Sequence, residues 1–65
     1  MILTAARYKA IRLQLGMTNA QFCRVLGKNA REGWRYESSD IPIPETVARL
    51  VWLLVKHGVP AEWDT

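Results

Sequence analysis

Sixty-five residues, 49% of them hydrophobic, make a single domain (1–65) near the lower size limit for unaided folding, and that apolar content excludes a disordered chain. One cysteine and one histidine exclude an internal disulfide and give no cluster with metal-ligand spacing. The net charge of +3 is uneven: residues 1–37 carry seven Lys/Arg against two Glu, and residues 38–65 carry two against four Asp/Glu. A front half of that charge suits a polyanionic partner, although an ordinary solvated surface has the same composition.

In chain order, Thr4 can cap a first helix running through Leu15, with Tyr8, Ile11 and Leu15 as its apolar stripe and Gly16 as its stop. Thr18 opens a second helix, and Gln21 three residues later completes a capping box. Phe22, Val25 and Leu26 form its buried face, and Gly27 breaks it in a left-handed conformation. Asn29 caps a third helix with Glu32 as its capping-box partner and Tyr36 as its core anchor. Ser38 to Pro44 is a turn-rich linker, and Pro44 suits the first position of a fourth helix that Gly58 ends (44–58). A short tail, 59–65, contains Pro60 and Trp63. These elements predict an all-α fold of four to five short helices.

The segment from Thr18 to Glu37 (18–37) resembles the motif of the Cro/phage-repressor (XRE-type) helix-turn-helix family. Thr18, Asn19, Gln21, Phe22, Cys23, Leu26, Gly27, Lys28, Asn29, Glu32, Gly33, Tyr36, Glu37 and Ser39 stand at the motif's places, and the likeness runs from Thr4 to about Leu54. The resemblance implies a lambda-repressor-like fold whose third helix enters the major groove of DNA. Three residues depart from the pattern. Gly33 replaces a buried Val or Ile, which should cost about 1 kcal/mol of helix propensity and leave a gap in the core. Lys28 replaces an apolar turn residue, and Ser39 a glycine.

By that resemblance Asn29, Ala30, Arg31, Trp34 and Arg35 address the bases. Arginine forks match the O6/N7 acceptors of guanine, though either arginine can instead meet a phosphate. Trp34 has two readings, pressing on the DNA or folding back into the space beside Gly33. Thr18, Asn19, Lys28 and Arg12 are phosphate candidates, with Arg24 a weaker one. Arg12 and Glu37 occupy places implied to form an ion pair between the first and third helices. Cys23 reads as a small buried hydrophobe.

The fourth helix carries two apolar stripes. Val47, Leu50, Val51 and Leu54 serve the core; Ala48, Trp52, Val55 and Val59 then remain as a surface for a second copy, unless the tail folds over them through Trp63. The expected protein is a cytoplasmic regulator of a prokaryotic cell or phage-infected host, binding a palindromic operator in double-stranded DNA as a homodimer. No membrane segment, catalytic residue, cofactor or metal is expected. The alternative is an antitoxin-like protein-binding module using the fourth helix.

Overall fold

The computed structural model describes residues 2–64, so Thr65, the end of the expected tail, lies outside the described residues. Four α-helices run in the order α1 (Ala5–Gln14), α2 (Asn19–Leu26), α3 (Ala30–Glu37) and α4 (Glu45–His57), followed by a 3₁₀ turn, η1 (Ala61–Asp64). No strand occurs among the described residues. The whole measures 30 × 23 × 19 Å.

Local sequence accounts for every helix start but one. Thr4 Oγ1 accepts from the Arg7 N–H at 3.2 Å. Thr18 and Gln21 form the reciprocal capping box, with bonds of 3.2 and 2.9 Å. Asn29 Oδ1 accepts from the Glu32 N–H at 2.9 Å. Glu32 does not complete the expected box; its carboxylate instead accepts from the Tyr36 hydroxyl at 3.4 Å and pairs with Lys28 at 3.7 Å. Pro44 stands one place outside the helix it was expected to begin, because its ψ of 150° is extended, and it caps α4 without a side-chain bond.

α1, α2 and α3 end alike. In each, an amide beyond the end donates back across six residues: Met17 to the Arg12 carbonyl at 3.1 Å, Lys28 to Cys23 at 2.8 Å and Asp40 to Arg35 at 2.9 Å. The closure needs one left-handed residue. Gly16 (φ 71°) and Gly27 (φ 72°) supply it at no steric cost, but after α3 the residue is Ser39, at φ 62°. Ser39→Gly should therefore stabilise the fold by about 0.5–1 kcal/mol, since relief of left-handed strain exceeds the entropy glycine adds to the unfolded chain. Thermal melting would read this as a rise of a few degrees, and a fall would mean that the Ser39 side chain contributes a contact of its own.

The core forms where the helices' apolar faces meet. Tyr8 packs against Phe22 (ring centroids 5.1 Å apart) and, edge-on, against Tyr36 (5.7 Å). Ile11, Val25, Leu26, Val47, Val51 and Leu54 complete the buried cluster, with Leu15, Leu50 and Val59 packed at its rim. Two assignments to the expected pairing surface are thereby corrected. Ala48 is 1% exposed and belongs to the core, and Val59 is partly buried against the same cluster. The buried stripe of α4 is rotated toward Ala48 because Val47, Ala48, Val51 and Leu54 together face the other helices, which leaves Leu50 at the edge. Trp52 and Val55 stay outside, 47% and 44% exposed. Among the described residues of the tail, η1 packs on α2. None of the helices is long and apolar enough to cross a membrane.

Candidate nucleic-acid interface

α3 has two contrasting faces, one buried against the other helices and one exposed. Gly33 and Tyr36 are buried; Ala30, Arg31, Trp34 and Arg35, with the capping Asn29, are exposed along the outer side. Trp34 is 62% exposed, so it does not fold back beside Gly33.

Nor is there a gap for it to fill. A Cβ on Gly33 would overlap the Oδ1 of Asn19 and the Sγ of Cys23. The glycine is what lets α3 lie close against α2, correcting the expected core void. Asn19 occupies this joint, 7% exposed, with its amide donating to the Ala30 carbonyl at 2.9 Å and its Oδ1 accepting from the Cys23 thiol at 3.7 Å. The Asn19 side chain thus has a structural role: it ties the start of α3 to the start of α2. In the sequence this joint shows only as a small Cys23 and a Gly33 that breaks the α3 apolar pattern. Cys23 is buried beside it, and burial pushes its thiol pKa up, which suits packing rather than reactivity.

Arg12 and Glu37 meet as the family resemblance implied. Arg12 Nε and Nη2 donate to the two carboxylate oxygens of Glu37 at 2.7 and 3.1 Å, and Nη1 donates to the Met17 carbonyl at 3.0 Å. The side chains are only 11% and 6% exposed. All three guanidinium nitrogens are engaged inside the fold, so Arg12 joins α1, the α1–α2 turn and the end of α3, while Nη1 and Nη2 each keep one further hydrogen. Hydrogen bonding to Glu37 raises the Arg12 pKa further, so the guanidinium stays charged at any ordinary pH.

The cations of the exposed side differ in their partners. Arg24 and Arg31 carry no ion pair among the described residues, whereas Lys28 leans toward Glu32. Arg35 Nε donates to Asp40 Oδ2 at 2.9 Å, in an exposed pair. Sequence reading did not single out Asp40, since its relation to Arg35 arises from the reversal of the chain after α3. Thr18 is exposed, and its hydroxyl oxygen accepts from the Gln21 N–H, leaving its own hydrogen free to donate.

The resulting surface presents donors held on a short, close-packed helix: guanidinium edges at Arg31 and Arg35, a lysine at the turn, a hydroxyl at the start of α2. Such a face can bind oxygen-rich acceptors. Among the described residues no group of His, Cys, Asp and Glu is arranged to hold a metal ion. No protein-family model matches the chain, and no match was found among curated proteins or solved structures.

Proposed function

We propose that the chain is a sequence-specific double-stranded DNA-binding regulator of the Cro/phage-repressor kind, with a lambda-repressor-like fold that inserts α3 into the major groove. The observation that carries this reading is the two-sided character of α3. Its inner side is locked to α2 through Gly33 and Asn19, while its outer side holds Arg31, Trp34 and Arg35 free of the core. A rigid helix with projecting arginines is what reading base edges requires. Thr18 and Lys28 flank it at positions suited to phosphates, and Asn29 and Ala30 are the residues at its tip.

One module of this size makes a small DNA contact, so we infer a symmetric pair acting on two half-sites about 34 Å apart. The pairing surface is the outer side of α4, reduced from the expected four residues to Trp52 and Val55. These two, with Ile2, Leu3, Arg7 and Ile11, border a groove of about 300 Å³ between α1 and α4. The same exposed apolar face supports a second reading, a module that covers a different protein.

Duplex binding measured across a salt series tests the first reading. Affinity should fall linearly on a log–log plot, with a slope near −0.9 for each phosphate neutralised. A flat response would remove the nucleic-acid reading. Trp52→Glu should leave helix content intact and convert a sedimenting dimer to a monomer with weak, unselective binding. Retention of a dimer by this variant would move the interface elsewhere.

A further inference from the structure

We propose that Asp40 is a specificity-determining positioning residue: it holds the Arg35 guanidinium through Nε and so aims the Nη edge at a guanine. The proposal rests on the DNA-binding reading above.

The geometry begins in the backbone. The Arg35 carbonyl accepts from the Asp40 N–H at 2.9 Å, from the Ser38 hydroxyl at 3.2 Å and from the Ile41 N–H at 3.4 Å. Asp40 is thereby tethered to the residue whose side chain it bonds. The carboxylate meets Nε at 2.9 Å from an anchor the helix end already fixes. Ser39, in its left-handed conformation, is the pivot that turns the chain to make this possible.

The pair is exposed, 47% at Arg35 and 61% at Asp40, and exposed pairs contribute little to stability. Its consequence is directional. A guanidinium carries five N–H donors, and with Nε engaged the free edge is the one formed by Nη1 and Nη2. That edge presents two parallel donors. Guanine offers two acceptors side by side in the major groove, whereas adenine pairs an acceptor with a donor and cytosine offers a donor. Holding the side chain in advance also lowers the rotamer entropy lost on binding. The carboxylate's negative charge repels phosphates, which disfavours a contact between Arg35 and the DNA backbone. Arg31, four residues earlier and without a carboxylate partner among the described residues, lacks both restraints and serves as an internal comparison.

The test sequences the duplexes retained from a random pool by the wild-type protein, by Asp40→Ala, by Asp40→Asn, by Arg35→Ala and by Arg35→Ala/Asp40→Ala. Anisotropy titrations then use one selected duplex and its single-base-pair variants. Asp40→Ala should lose about tenfold in guanine discrimination at one base pair while the other positions hold. It should bind random duplex more tightly, and its salt slope should steepen by about one as Arg35 turns to a phosphate. Asp40→Asn, which keeps an acceptor without the charge, should fall between wild type and Asp40→Ala. In the Arg35→Ala background the Asp40 substitution should change nothing at that base pair. Thermal melting of Asp40→Ala should match wild type, separating positioning from folding. Unchanged discrimination in Asp40→Ala, a loss that persists without Arg35, or duplex binding with no guanine preference would each overturn the proposal alone. Absence of any duplex binding by the wild-type protein would overturn the DNA reading and this proposal together.

Discussion

Glu37→Ala should destabilise the protein by about 3–5 kcal/mol, enough to leave a domain of this size largely unfolded at room temperature. The magnitude follows from what is left behind. Glu37 accepts two guanidinium bonds from Arg12, and both side chains are almost wholly buried. Truncating the acid leaves the Arg12 guanidinium without its carboxylate in a largely buried position. Arg12→Ala should cost a similar amount and in addition release the Met17 carbonyl at the α1–α2 turn. Replacing both residues together by apolar side chains of similar volume should cost much less, because desolvating two charges offsets most of what their pairing returns. Urea unfolding of the two single variants and the double variant measures the coupling. Simple additivity would show that the pair behaves as two independent surface charges, contrary to its burial.

Gly33→Ala should also destabilise, here by about 1–3 kcal/mol, although alanine is the better helix former. Two effects compete. Removing a mid-helix glycine stabilises by about 0.5–1 kcal/mol. Against that, the new methyl overlaps both Asn19 Oδ1 and Cys23 Sγ. These are side-chain atoms, but neither is free to move cheaply. Both residues are buried, and Asn19 would lose its bond to the Ala30 carbonyl in moving. Overpacking wins because the joint has two walls rather than one. A 65-residue domain should then melt several degrees lower, at roughly 4–8 °C per kcal/mol. Combining Gly33→Ala with Cys23→Ala should recover part of the loss, since the smaller side chain removes one of the two overlaps. A neutral or stabilising Gly33→Ala would mean that α2 and α3 separate without penalty, and the close crossing would not be what orients α3. The effect on DNA binding should exceed the effect on stability, because the same shift moves Arg31 and Arg35 together.

The helix starts and stops were legible in the chain. Thr4, Thr18 with Gln21, and Asn29 each bond an amide three residues away, so their action depends on nothing outside one turn. The glycine stops at Gly16 and Gly27 are equally local, as is the stripe of Phe22, Val25 and Leu26. Glu32 shows where local reading ends. Its spacing suits a capping box, yet Tyr36 and Lys28 compete for the same carboxylate and prevail. On α4 the expected core stripe faces inward through Val47, Val51 and Leu54, but the neighbours draw in Ala48 from the second stripe and leave Leu50 at the edge. Trp52 and Val55 were left at the surface as a result.

The outer residues of α3 followed from helical spacing and the family resemblance; the way α3 is held did not. Asn19 looks like a solvent-facing residue at a helix start, and Gly33 looks like a defect in a helix. They fit together only once α2 and α3 cross closely enough that a side chain on one takes the place of a Cβ on the other. Asp40 gains its partner in the same way, when the left-handed turn at Ser39 brings the chain back over Arg35. Capping and amphipathic periodicity are short-range and are written in the order of the residues. Contacts between helices depend on crossing distance and rotation, which no residue specifies alone and which packing of the whole core decides.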